Sequence, residues 1–60
     1  AEEITIKEYD HECESDEFHT FYNLDEAKKF FAELVEEYET NGNACYIEGE
    51  GQGWSDSFEQ

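Results

Sequence analysis

The carboxylates are the side chains of this sequence whose number and spacing indicate a chemical role, the binding of positively charged groups. The sixty residues carry 18 aspartates and glutamates against three lysines, which gives a formal net charge of −15. Glu8, Asp10 and Glu12 alternate with other residues, so on an extended strand their carboxylates would recur about every 6.8 Å. Successive phosphates of one nucleic-acid strand lie roughly 6 to 7 Å apart. A basic cleft that is built for DNA or RNA could therefore bind such a row.

A second row of carboxylates is expected on a helix. Glu26, Glu33 and Glu37 would form a line down one flank, with spacings of roughly 10 and 6 Å at the rise of an α-helix. A surface this negative repels nucleic acid and anionic lipid, so neither is an expected partner. The expected partner is a basic nucleic-acid-binding protein. The alternative is an acidic surface that serves only solubility, and composition alone does not separate the two.

Metal chemistry has weaker support in the sequence. The Asp-x-Asp-x-Asp-Gly spacing of a calcium loop is absent. His11, Cys13, His19 and Cys45 could form a zinc set, but they lack the paired spacing of known zinc motifs. We expect both cysteines to be small buried hydrophobic residues. A disulfide between them is the alternative in an oxidising compartment. No metal site and no cofactor are expected.

Catalysis is also disfavoured. A thiol in so negative a field should have a raised pKa, which suits a nucleophile badly. The glycine-rich residues 49–53 do not precede a helix and include Glu50, which would repel a phosphate. A domain of this size has little room for a desolvated cleft. The sequence therefore predicts a protein that is not an enzyme.

One helix is expected to organise the chain, over residues 23–42. Asn23 is a good N-cap with Glu26 three residues later, and Gly42 suits a left-handed C-cap. Strong periodicity, together with one Trp, four Tyr and five Phe, favours a folded domain over the disorder that the charge alone would suggest. The apolar stripe of this helix consists of Leu24, Ala27, Phe30, Phe31, Leu34, Val35 and Tyr38.

Strands are predicted before and after that helix, over residues 3–9, 18–22 and 44–50. Residues 54–58 would form either a short fourth strand or a docked tail. This order predicts a single α+β domain over residues 1–60, with an antiparallel sheet of three to four strands and one helix packed on one face. No stretch is apolar enough for a membrane span.

The first turn is expected at residues 14–17, with a turn nearer residues 10–11 as the alternative. A turn at residues 14–17 places Cys13 opposite Phe18. It also puts Ile4 and Ile6 on the acidic face of the sheet, the face of Glu8, Asp10 and Glu12. A bulge between residues 7 and 12, or a short disordered tip, would resolve that conflict.

The second face of the sheet would be solvated or buried in a dimer. Phe21, Tyr46 and Trp54 are the candidates for an exposed aromatic surface there. Contiguous exposed aromatic side chains mark an interface. The alternative function is therefore a non-enzymatic acidic interaction module, or a homodimer, that uses this aromatic surface. A small metal-binding protein is a third hypothesis.

The chain resembles small phage-encoded inhibitors that mimic DNA, in its size, charge, aromatic content and strand-plus-helix pattern. These include uracil-DNA glycosylase inhibitors, anti-restriction proteins and acidic anti-CRISPR proteins. Glycosylase inhibitors of one type carry a Glu-Ser pair on an edge strand that enters the DNA cleft of the enzyme. Glu14 and Ser15 are similar to that pair, although Asp16 follows them in place of an aliphatic residue.

The resemblance implies an inhibitor that occupies the basic DNA-binding cleft of an enzyme in the cytoplasm of a bacterial host, with uracil-DNA glycosylase as one candidate target. Acidic side chains would steer the encounter, and aromatic side chains would anchor it. The expected partner-binding residues are Glu8, Asp10, Glu12, Glu14, Ser15, Asp16, Glu17, Glu26, Glu33, Glu37, Phe21 and Trp54.

Overall fold

The fold is a four-stranded antiparallel sheet with one helix packed on one face. The computed structural model describes residues 2–60. The strands pair in the order β2-β1-β3-β4, so β1 and β3 are central and β2 and β4 are the edges. The predicted α+β architecture is confirmed, with the fourth strand formed. The elements are β1 Ile4–Asp10, β2 Ser15–Phe21, α1 Leu24–Asn41, β3 Cys45–Gly51 and β4 Trp54–Glu59.

The helix begins and ends at the predicted caps. The side chain of Asn23 accepts hydrogen bonds from the backbone N–H groups of Asp25 and Glu26, at 2.9 and 3.2 Å. Gly42 has a φ of +72° and donates its N–H to the carbonyl of Tyr38 at 2.8 Å. Both ends therefore satisfy backbone groups that a helix terminus leaves without an internal partner.

The core lies between α1 and the face of the sheet beneath it. The fully buried side chains there include Ile4 and Ile6 of β1 and Cys45 and Ile47 of β3. This helix-facing side follows the two-residue period of the strands, and the same period places the remaining side chains on an open face. The helix contributes to the core Ala27, Phe31, Leu34 and Tyr38.

Two aromatic residues predicted to be exposed are instead half-buried against this core. Trp54 lies edge-on to Phe31, with ring centroids 5.7 Å apart, and its ring occupies the space above Gly49. Phe21 packs on Phe30 at 5.1 Å. The prediction that they form an exposed surface is wrong, because strand register places both on the side of the sheet that the helix covers.

The turn between β1 and β2 does not lie at the expected residues 14–17. It spans residues 11–14, close to the alternative position. One side-chain oxygen of Asp10 accepts the backbone N–H groups of Glu12 and Cys13, at 2.9 and 3.3 Å. Asp10 thus fixes the turn by a local mechanism that is common for this residue type.

No bulge is needed between β1 and β2. The register runs unbroken from the pair Ile4–Phe21 to the pair Asp10–Ser15. The predicted bulge and the predicted pairing of Cys13 with Phe18 are therefore wrong, and Phe18 pairs with Lys7. Ile4 and Ile6 do share a face of β1 with Glu8 and Asp10, as expected. No conflict follows, because the helix covers the apolar end of that face and the carboxylates lie towards the turn. Glu12 lies in the turn itself, so only Glu8 and Asp10 form the predicted strand row.

The opposite face of the sheet is not covered by the helix. Phe18 is 65% exposed there, and Tyr9 and Tyr46 are half-buried. Tyr46 thus lies on the open face as predicted. Within residues 2–60, no helix combines the length and the hydropathy needed to cross a bilayer.

Candidate protein-binding surface

Positive charge is confined to two places in the chain. Lys28 and Lys29 lie in the first half of α1, and Lys7 lies on the open face of β1. No lysine or arginine occurs at residues 8–27 or 30–60. Negative potential should therefore be greatest where the β1–β2 turn and the second half of α1 lie together.

The β1–β2 turn and the C-terminal end of the helix lie at the same end of the molecule. The backbone N–H of His11, in the turn, donates to the carbonyl of Ala44, just after the helix, at 3.1 Å. Gln60 side-chain Nε2 donates to the carbonyls of Tyr38 and Asn43, each at 2.8 Å. The last helical turn has no basic residue. The negative end of the helix dipole therefore adds to the field of the turn.

The turn and the start of β2 carry four exposed carboxylates. We call this group the hairpin carboxylates: Glu12, Glu14, Asp16 and Glu17. Glu14 adopts a φ of +53°, and Ser15 is the first residue of β2. Because β2 is an edge strand, Ser15 lies at the start of a sheet edge, whereas Glu14 is the last residue of the turn that precedes it.

The three predicted helix carboxylates lie on the same side of the molecule as β2. The ring of Phe30 contacts His19 and Phe21, both on β2, with centroids 4.6 and 5.1 Å away. Residues three or four apart on a helix share a flank. Glu26 lies four residues before Phe30, and Glu33 lies three residues after it. Glu37 follows Glu33 by four residues, so the row continues along the β2 side. All three carboxylates are exposed.

The helix row is not uniformly negative. Lys29 is three residues after Glu26 and four before Glu33, so it shares their flank. The most cation-free part of the row is the stretch from Glu33 to Glu37, nearest the β1–β2 turn. We call the hairpin carboxylates together with Glu26, Glu33 and Glu37 the β2-side acidic surface.

Two further predicted residues, Glu8 and Asp10, are used by the fold itself. Asp10 holds the turn. Glu8 accepts a hydrogen bond of 2.6 Å from the hydroxyl of Tyr38 through Oε2. Burial, that hydrogen bond and the negative charge of Glu8 together raise the pKa of Tyr38. Glu8 and Asp10 therefore support the surface more than they present charge to a partner.

His19 completes a small polar network under the acidic surface. Its Nε2 lies 3.2 Å from Oε1 of Glu8 and 3.8 Å from Oε2 of Glu17. Its ring also packs on Phe30. The network joins residues up to 30 positions apart, and no local pattern in the sequence indicated it.

The four residues considered for a zinc set, which the sequence did not favour, are not brought together. Cys13 is exposed in the turn and Cys45 is fully buried in β3, and both thiols are free. The expectation of a buried hydrophobic cysteine is confirmed for Cys45 and wrong for Cys13. The carboxylate of Asp10 raises the pKa of Cys13, and burial raises that of Cys45. Both shifts disfavour a thiolate nucleophile.

The aromatic residues predicted to anchor a partner are less exposed than expected. Phe21 and Trp54 are packed against the core and offer only part of their rings. The large hydrophobic side chains that are exposed are Phe18, at 65%, and Tyr22, at 59%. Both belong to β2 or follow it directly, so they lie beside the β2-side acidic surface.

Comparison with protein-family models, curated proteins and solved structures finds no match to this chain.

Proposed function

We propose that this protein inhibits a nucleic-acid-binding enzyme by mimicking DNA, with its β2-side acidic surface occupying the enzyme's basic cleft. The observation that carries the proposal is that hairpin and helix carboxylates lie around the same β2 edge of the molecule, with Asp16 on the open face of the sheet and Glu17 on the face towards the helix. A dense group of exposed carboxylates on a folded surface attracts a basic cleft that is built for nucleic-acid phosphates.

The arrangement of the surface supports this proposal. The carboxylates are exposed, whereas their backbone is fixed by the Asp10 turn and by packing of the helix on β2. Pre-ordered charge costs little conformational entropy on binding. Phe18 and Tyr22 supply apolar area next to the charge, and aromatic side chains are frequent anchors in interfaces. Their position beside β2 makes them better anchor candidates than Phe21 and Trp54.

The source and target follow from the resemblance to phage inhibitors. We infer a basic DNA-binding enzyme of a bacterial host as the partner, with uracil-DNA glycosylase as one candidate, and action in the bacterial cytoplasm. The position of Ser15 at the start of an edge strand, directly after Glu14 in the turn, supports that candidate. The protein itself would carry out no catalysis.

A pull-down from bacterial lysate, followed by elution with duplex DNA, tests the proposal. The expected result is capture of one or a few DNA-binding enzymes that DNA releases, and whose DNA binding the protein blocks at stoichiometric concentration. Capture of proteins that bind DNA and this protein at the same time would contradict mimicry. Purified uracil-DNA glycosylase should be assayed in parallel, since inhibition there would identify the target directly.

The open sheet face favours a second candidate function, an interaction module or homodimer. Phe18, Tyr9 and Tyr46 lie on that uncovered face. Phe18→Ser and Tyr46→Ser should abolish binding if this face is the whole site. Under mimicry the same changes should only weaken it, because the hairpin carboxylates remain. Sedimentation of the free protein would show whether it is a dimer.

A further inference from the structure

Three side chains that could ligate a metal lie together at the β2 edge, and one of them, Glu17, belongs to the β2-side acidic surface. Glu8 of β1 and Glu17 and His19 of β2 each offer one ligand atom, and these three atoms all lie within 4.8 Å of one another. We propose that Glu8, Glu17 and His19 bind a divalent transition-metal ion of the zinc type. The proposal does not rest on the proposed function.

The two donor distances from His19 are close to those of a tetrahedral ion. Metal–ligand bonds of about 2.0 to 2.2 Å place neighbouring donors of a tetrahedron roughly 3.3 to 3.6 Å apart. His19 Nε2 lies 3.2 Å from Glu8 Oε1 and 3.8 Å from Glu17 Oε2. Small adjustments, mainly of the exposed Glu17 side chain, would bring all three donors to bonding distance. Water would complete the coordination.

Two side chains hold the ligands in place before metal arrives. Tyr38 donates to Oε2 of Glu8, which leaves Oε1 turned towards His19. The ring of Phe30 packs on the imidazole of His19. Such supporting contacts orient ligands and are typical of metal sites in proteins. The pairing of Glu8 with Glu17 across the two strands fixes the backbone below them.

The exposure of the three ligand side chains increases from Glu8 to His19 to Glu17. The Glu8, His19 and Glu17 side chains are 19%, 28% and 70% exposed. The inner ligands are shielded, and the outer one leaves an entry path. The chain's net charge of −15 raises the local concentration of any divalent cation. An imidazole donor favours zinc-type ions over magnesium and calcium, which prefer oxygen ligands.

The test is an NMR titration of isotope-labelled protein with zinc chloride, in a large excess of magnesium that occupies diffuse acidic sites. A Cys13→Ser background removes the exposed thiol as a competing ligand. We expect saturable binding of one zinc ion, with the largest shifts at the His19 ring. His19→Gln should weaken zinc affinity at least about tenfold. His11→Gln is the matched control, and should leave the affinity unchanged.

Several outcomes would overturn the proposal. They are zinc shifts centred on His11, equal affinities for the two glutamine variants, or magnesium alone producing the same shifts at His19. The wild-type ring shifts decide the matter even if His19→Gln fails to fold. Tyr38→Phe tests the positioning contact. It should weaken zinc affinity, whereas Tyr46→Phe should not, and the melting temperature of each metal-free variant shows whether stability alone explains the loss.

Discussion

The hydroxyl of Tyr38, on the helix, donates a hydrogen bond of 2.6 Å to Oε2 of Glu8, on the central strand β1. This contact joins the core to the acidic surface. It fixes a carboxylate that is partly buried, and Glu8 in turn lies 3.2 Å from His19 on the edge strand. The helix thus organises the charged side of the molecule through one polar side chain as well as through its apolar stripe.

Tyr38→Phe should destabilise the protein by about 1 to 2 kcal/mol, because it removes a hydrogen bond to a charged and partly buried acceptor. Urea unfolding measures the change. Tyr46→Phe is a matched control. Its hydroxyl also donates at 2.6 Å, to Glu48, but this pair is exposed and water can replace the bond. Equal losses in the two variants would show that burial of the Glu8 contact has no energetic consequence.

Alkaline pH should destabilise the wild type more than the Tyr38→Phe variant. The folded state raises the pKa of Tyr38 through burial and the contact with Glu8. Folding therefore favours the neutral phenol. Its contribution to the free energy of unfolding is fully present below the unfolded-state pKa of about 10. It is lost as the pH rises from there through the folded-state pKa. Urea midpoints that fall equally steeply in the two proteins above that pH would contradict this assignment.

Salt should stabilise the protein. Self-repulsion at a net charge of −15 opposes the compact state, and about 0.1 M salt screens it beyond roughly 10 Å. The melting temperature should therefore rise between low and moderate salt. Replacing the four hairpin carboxylates with Gln or Asn should make that rise smaller. A melting temperature that stays flat or falls with salt would count against the repulsion.

Gly49→Ala should destabilise the protein by about 1 to 3 kcal/mol through overpacking. A Cβ at this position would lie 2.5 Å from Cη2 of Trp54. The indole must then move, and because Trp54 is the only tryptophan its fluorescence reports the movement. Gly42→Ala is the control, since it strains a left-handed cap but meets no atom within 4 Å. It should lower stability without changing the emission of the folded state.

The helix was predictable because its signals are local. Asn23, Gly42 and the apolar stripe lie within one segment, and none of them depends on a distant partner. Strand existence and side-chain alternation were predictable for the same reason. Trp54 and Phe58 share a face in the fourth strand, as the two-residue period indicates.

The first turn was not predictable, because two neighbouring segments have suitable turn residues. Asp10 prevails over residues 14–17 because β1 pairs with β3 as far as Asp10–Cys45, and His11 bonds to Ala44 beyond it. Those partners lie more than thirty residues away. The misplaced turn shifted the whole pairing register of β2. The apparent need for a bulge had another cause, since Ile4 and Ile6 do share a face of β1 with Glu8 and Asp10 and the helix covers only the apolar part of that face.

The site was predictable in composition but not in arrangement. The acidic residues of the hairpin and helix could be named, but their meeting on one side depends on Phe30 packing against β2. The exposure of Phe21 and Trp54 was wrong because alternation alone does not say which face a helix covers. The Glu8–Tyr38–His19 network had no sequence signal, because its members are brought together only by tertiary packing.

We propose that the β2-side acidic surface binds where the partner binds DNA. This proposal is tested by comparing two variants that each remove four negative charges. One replaces the hairpin carboxylates Glu12, Glu14, Asp16 and Glu17 with Gln or Asn. The other does the same to the exposed carboxylates Glu2, Glu48, Glu50 and Asp56.

The measurement is the association rate and inhibition constant of each variant with the captured DNA-binding enzyme, at several salt concentrations. We expect the hairpin variant to associate about tenfold more slowly or worse, with a weaker salt dependence, and the second variant to stay close to wild type. Unchanged inhibition by the hairpin variant, or equal losses in both variants, would contradict it.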